Sequence, residues 1–176
     1  INIYMLVFQD LIRQHVQHVK EAAAEVFSEA ASDDIFGAFW KEAFQITQKT
    51  ADEMCAGIIA EKYPLAAIDP RLCTTKQQEE GAGELLQRLE AGTAAFPVGL
   101  YRFVERRLSM LEDALKEMFR NLRRYKMQIC GDLFGGKNYS AFAGIETGCG
   151  DPHNHARSTA ILQTDLGKMV YKPRPS

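Results

Sequence analysis

Between Val98 and Met127 the apolar residues return every three or four positions. Leu100, Phe103, Val104, Leu108, Leu111, Leu115, Met118, Phe119 and Leu122 line one face, while Glu105, Arg106, Glu112, Lys116 and Glu117 on the other are spaced for solvent ion pairs. A helix of this length with a single apolar stripe must bury that stripe against other elements, so the chain has to fold in layers. Two further long patterns supply the partners. From Tyr4 to about Ala30 the apolar positions are Tyr4, Val7, Phe8, Leu11, Ile12, Val16, Val19, Ala23, Val26 and Phe27. Ser32-Asp33-Asp34 then caps a helix from about Ile35 to Lys62, with Phe36, Phe39, Trp40, Phe44, Met54 and Ile58 as its apolar face and the Tyr63-Pro64 step as its stop. A shorter helix, from about Thr75 to Ala91, is expected to be interrupted at Gly81 and Gly83.

After Ile129 the pattern changes. Residues 131–150 hold six of the 13 glycines, followed by the β-branched run STAILQT (158–164), a turn at Asp165-Leu166-Gly167-Lys168 and a second strand, MVYKPR (169–174). The expected fold class is α+β: a helical region over 1–130 with about four helices, then the start of a β-rich lobe over 131–176. With 46% hydrophobic and 25% charged residues the chain is globular, and a net charge of −2 gives no general attraction to nucleic acid. There is no membrane-spanning run and no secretory signal pattern. Cys55, Cys73, Cys130 and Cys149 are scattered without CxxC spacing, as reduced thiols of a cytoplasmic protein would be. The start at Ile1 and the stop just past Pro173 point to a piece of a longer protein.

The densest chemistry lies in GCGDPHNHAR (148–157) and the hairpin after it. Strand alternation sets Met169, Tyr171 and Pro173 on one side and Val170, Lys172 and Arg174 on the other. A half-buried Lys172 would need an anionic partner, and a phosphate is one. An edge strand with Lys172 and Arg174 in solvent, blunted by Pro173, accounts for the same residues. Gly148 and Gly150 allow a sharp turn that bares amide N–H groups, as glycine loops over ATP phosphates do, although neither a Walker A sequence nor GxGxxG is present. Asp151 and His153, two apart, point the same way on an extended segment; they suit proton transfer near neutral pH or a structural hydrogen bond. Arg157 can bridge an anion or pair with Asp151. Cys149, His153 and His155 are zinc-type ligands, but crowded into seven residues without a second pair. His15 and His18 fall on a helix flank.

GDPHNHARSTAILQTDLGKMVYKPRPS (150–176) closely resembles the dehydratase domain of class II lanthipeptide synthetases, the LanM family. That family carries Gly-Asp-x-His, an Arg shortly after, and a hairpin ending in Tyr-Lys-Pro-Arg. The matching residues are Gly150, Asp151, His153, Arg157, Gly167, Tyr171, Lys172, Pro173 and Arg174. Upstream, FPVGLYRFVERRLSMLEDALKEMFRNL (96–122) is similar to the helix that precedes the motif, so the resemblance covers 96–176. One departure is His155-Ala156, where the family has glycine before the Arg. The resemblance implies a kinase-like (lipid-kinase-like) lobe that uses ATP and Mg²⁺ to phosphorylate Ser and Thr of a ribosomal precursor peptide. The phosphate is then eliminated to give dehydroalanine and dehydrobutyrine. It implies Lys172 as the ATP-phosphate lysine with Gly150 and Arg157 in the cofactor site, and Asp151 and His153 as the elimination pair. Magnesium ligands and the catalytic lobe are then expected beyond Ser176, making this chain inactive without the rest of the synthetase. Nothing here resembles that family's cyclase. The competing readings are a kinase-like phosphotransferase without elimination, a non-catalytic helical module that binds a leader peptide or partner, and a small zinc protein.

Overall fold

The computed structural model of the protein describes residues 4–30, 32–65, 69–94, 97–148 and 159–173. Five helices, α1 (Met5–Ala24), α2 (Ser32–Lys62), α3 (Thr75–Glu90), α4 (Val98–Arg124) and α5 (Lys126–Phe134), accompany four strands among the described residues, with a 3₁₀ turn at Pro70–Leu72. The strands are β1 (Glu29–Ala30), β2 (Ala141–Glu146), β3 (Ala160–Thr164) and β4 (Gly167–Tyr171), in the order β1-β2-β3-β4. β1 pairs parallel to β2, and the other two pairings are antiparallel. The class is therefore α+β, mostly helical with a small sheet.

The chain divides into two compact units, one of residues 1–9 and 43–105, the other of 10–42 and 106–176. In the first, Ile58, Ala82 and Leu85 form a buried cluster ringed by Cys55, Leu86, Leu89 and Ala94. α3 starts on a capping box: Gln77 N–H donates to Thr74 Oγ1 (3.2 Å) and Thr74 N–H to Gln77 Oε1 (2.9 Å). Contrary to the sequence expectation, α3 runs unbroken through Gly81 and Gly83. The two glycines differ in what surrounds them. A Cβ on Gly81 would sit 2.7 Å from Ile59 Cγ1, whereas one on Gly83 would meet nothing within 4 Å. Gly83→Ala is expected to raise stability by about 1 kcal/mol through helix propensity. Gly81→Ala is expected to lower it, because displacing packed Ile59 costs about 1–3 kcal/mol and outweighs that gain. Urea unfolding of the two variants checks the opposite signs.

In the second unit the core is aromatic. Phe27 lies 5.3 Å from Tyr139 and 5.3 Å from Phe142, and Phe119 stands edge-on to Phe27 (6.2 Å) and Phe142 (5.7 Å). Burial holds the Tyr139 hydroxyl, pushed up to about 12 with a smaller contribution from Cys130, in its neutral form. The first helical pattern ends earlier than its periodicity implies. α1 stops at Ala24, Val26 and Phe27 N–H close on Ala23 C=O, and Ser28 N–H donates to Ser140 C=O at the start of the parallel pairing. α2 is also phased differently: Ile35, Phe39, Ala43, Thr47 and Ala51 are buried at four-residue steps, while Phe44 and Met54 are exposed. α4 ends at Arg124 and α5 continues through Gly131, so the glycine-rich stretch begins as helix. Gly135 (φ 61°) stops it in the left-handed region, its N–H donating to Cys130 C=O.

Candidate functional site

The β3–β4 hairpin is locked at both of its ends. At the turn, Thr164 Oγ1 donates to Gly167 C=O (2.9 Å) and accepts from Leu166 N–H (3.2 Å), with Gly167 at φ 144°. Asp165 accepts from Ser140 N–H (3.0 Å), Ala141 N–H (3.2 Å) and the Ser140 hydroxyl (3.1 Å), tying the turn to the start of β2. Desolvation pushes the Asp165 carboxyl up, but these donors more than offset it and hold it below the usual range. At the far end, the Tyr171 hydroxyl accepts from Asn121 Nδ2 (3.0 Å), fixing the last residue of β4 to α4.

The register then decides what meets at that far end. Ala160 pairs with Tyr171, and Ile161 with Glu146. β2 therefore ends and β3 begins at the end of the sheet where β4 finishes and Lys172 follows. Gly150, Asp151, His153 and Arg157, with Cys149 and His155, lie outside the described residues. Of the expected site residues only Lys172 is described. It is exposed, one residue past β4, and among the described residues it has no hydrogen bond or ion pair. Of the two readings open in the sequence, the half-buried strand lysine is not found, and the lysine in solvent beside an edge strand is. Val170 beside it is 58% exposed and β4 is the edge of the described sheet, so that face looks to solvent, while Met169 is the buried side.

Beside Tyr171 a cleft of about 600 Å³ opens along the α4–α5 junction. Its lining includes Asn121, Tyr125, Gln128, Ile129, Asp132 and Leu133, one stripe at three- and four-residue spacing running from the last turn of α4 along α5. The period of this stripe is visible in the sequence, but half of these residues are polar, so it does not stand out as an apolar face.

A second polar cluster looks like plain surface in the sequence. Glu112 Oε1 lies 2.6 Å from His18 Nδ1 and 3.3 Å from His15 Nδ1, and Oε2 lies 3.6 Å from Lys116 Nζ. Its side chain is only 13% exposed, and His15 is buried and stacked on Phe39 at 5.6 Å. The expected Glu112–Lys116 pair is present, but Glu112 also serves two histidines across from it. Burial pushes the Glu112 carboxyl up, and the His18 hydrogen bond with the nearby Lys116 and His15 charges brings it below the ordinary glutamate value. A depressed folded pKa contributes stability that is present above the unfolded pKa and lost as pH falls through the folded one. Glu112→Gln is expected to cost about 2 kcal/mol at neutral pH. Its deficit should shrink at about pH 3.5, below the ordinary glutamate range. Denaturant unfolding at the two pH values checks this; an unchanged deficit would mean that packing, not charge, holds the residue. Among the described residues no group of three or more His, Cys, Asp or Glu is arranged to hold a metal ion, and no helix is long and apolar enough to cross a membrane.

No curated protein and no solved structure matches the chain. Residues 96–176, just under half of it, match the family model of a domain of unknown function, DUF4135, and that match spans α4, α5 and the sheet from β2 to β4, together with residues 150–157.

Proposed function

We propose that residues 96–176 belong to the dehydratase of a class II lanthipeptide synthetase, which phosphorylates Ser and Thr of a ribosomal precursor peptide with ATP and then eliminates the phosphate. The matched domain is one associated with lanthipeptide synthetases. What carries the reading is the register of the sheet. It brings the end of β2 and the start of β3, the described strands on either side of Gly150, Asp151, His153 and Arg157 in the sequence, to the end of β4 from which Lys172 extends. A loop able to offer amides, a proton-handling pair and an uncommitted lysine are the parts such chemistry needs from one lobe.

Lys172 fits the phosphate role because no carboxylate among the described residues neutralises it. ATP supplies the phosphoryl group. Gly150 and Arg157 would help hold its phosphates, and Asp151 and His153 would move the proton lost in elimination. Mg²⁺ is implied with ATP, but no residue of this chain is assigned to it. The setting proposed is the cytoplasm, with the rest of the synthetase and the precursor peptide as partners.

The test is the full-length protein with its precursor peptide, ATP and Mg²⁺, read by mass spectrometry. Loss of one water per modified residue is the expected result. Phosphopeptide as the only product would move the assignment to a phosphotransferase without elimination. An unmodified peptide would leave the helical binding module.

A further inference from the structure

Among the described residues Lys172 has no hydrogen bond or ion pair of its own, so the placing of its ammonium depends on what holds the end of β4. The backbone holds that end weakly. Among the described strands β4 pairs only with β3, and the last pair of the ladder, Ala160 with Tyr171, joins the first residue of one strand to the last of the other. A strand end with a single neighbour frays. The opposite end of the hairpin is better tied, since the Asp165 carboxylate accepts three hydrogen bonds from Ser140 and Ala141. At the Lys172 end, side chains make the link. Met169 and Tyr171 share one face of the strand, and Met169 is buried, but a methionine packs without fixing a direction. The Tyr171 hydroxyl does fix one, accepting from Asn121 Nδ2 at 3.0 Å. Asn121 stands in the last turn of α4, beside the buried Met118, Phe119 and Leu122 that seat the helix.

We infer that Asn121 is a positioning residue for Lys172, acting through the Tyr171 hydroxyl to hold the backbone from which the lysine extends. This role rests on the proposed function, in which Lys172 binds an ATP phosphate. A lysine is a point charge on a flexible four-carbon stem. The stem loses rotamer freedom when the ammonium meets a phosphate, and that loss subtracts from affinity. At a loose strand end the backbone would have to be ordered as well, and a displacement of about 1 Å would already weaken the contact. The Asn121–Tyr171 bond removes both losses before the nucleotide arrives. Neither residue has to touch ATP for this.

The test is titration of the full-length protein with the fluorescent nucleotide mant-ATP and Mg²⁺, read beside steady-state turnover of the precursor peptide. Tyr171→Phe and Asn121→Leu each delete one partner of the bond and keep its bulk. Each is expected to weaken mant-ATP binding about fivefold, of the order of one hydrogen bond, and to raise KM for ATP with kcat near wild type. The double variant should be no weaker than either single one, because both delete the same bond. Added to Lys172→Ala, Tyr171→Phe should cause no further loss. Hydrogen exchange at the end of β4 should rise, while the start of β2 beside Asp165 stays as in wild type. Should Asn121→Leu lower the melting temperature, Tyr171→Phe, which removes a single oxygen, decides alone. Unchanged affinity in Tyr171→Phe, or a further loss on the Lys172→Ala background, overturns the positioning role. If the peptide is dehydrated normally alongside that result, the proposed function stands without it. The expected losses in a protein that yields only phosphopeptide keep the positioning role and remove the elimination. A wild type that binds no mant-ATP overturns both.

Discussion

On the proposed function, Lys172→Ala is expected to abolish modification of the precursor peptide, lowering turnover about 100-fold or more, as removing a charge that binds a reacting phosphate does. The side chain is exposed and makes no described hydrogen bond or ion pair. Truncating such a residue changes stability by about 0.5 kcal/mol or less, so a lost activity reports on chemistry and not on folding. His153→Ala should give a different phenotype. If the imidazole handles the elimination proton, phosphorylation continues and phosphopeptide accumulates. Mass spectrometry separates the two, since one variant returns starting peptide and the other returns peptide carrying phosphate. Full dehydration by Lys172→Ala would remove the lysine from the ATP site. Starting peptide from His153→Ala would place the histidine before phosphate transfer and undo the division of roles.

The stretches legible in the sequence are those where one physical cause dominates. α4 follows from most of its stripe because burial decides which of its faces turns inward: Val104, Leu108, Leu111, Leu115, Phe119 and Leu122 are buried, while Phe103, placed on the same face, is 53% exposed. The β3–β4 hairpin follows from β-branched residues around Asp165-Leu166-Gly167. α2 misleads because residue size is a poor guide to phase. Phe44 and Met54 are large yet exposed, while Ala43, Thr47 and Ala51 are buried, Thr47 satisfying its hydroxyl on Ala43 C=O at 2.9 Å. Small residues on an inward line leave little hydrophobic signal. β1 is two residues long and exists only through its pairing with Ala141 and Phe142, which no local pattern announces. The Glu112 cluster is hidden for the same reason: a glutamate at i−4 from a lysine looks like a solvent pair until His15 and His18, more than ninety positions away, are brought to it. For the site, the sequence names candidate residues, and of the structure only the sheet register around them is described: β2 ends and β3 begins at the end of the sheet where β4 finishes.

Phe119→Ala should be the most damaging truncation in the core. The ring is fully buried and meets Phe27, just past α1, and Phe142, on β2, both edge-on. Deleting it removes the transfer free energy of the ring and leaves a cavity that three elements would have to move to fill, a loss of about 3–5 kcal/mol. The two edge-to-face pairs lie partly beyond that figure, each contributing about 0.5–1.5 kcal/mol. Against a total stability of about 5–15 kcal/mol, the variant would sit close to unfolding at room temperature. Phe103 provides the control. It lies on the same helix but is 53% exposed, so Phe103→Ala should change stability by about 0.5 kcal/mol or less. Because Phe142 precedes the bulge in β2 and Phe27 precedes β1, loss of Phe119 should also loosen the sheet, so hydrogen exchange in β2 should rise together with the fall in the unfolding midpoint. Equal losses for the two phenylalanines would show that the aromatic cluster is not the centre of this unit. A large loss for Phe119→Ala with β2 still protected would show that other contacts, such as the Tyr171–Asn121 hydrogen bond, hold the sheet to the helices without the aromatic cluster.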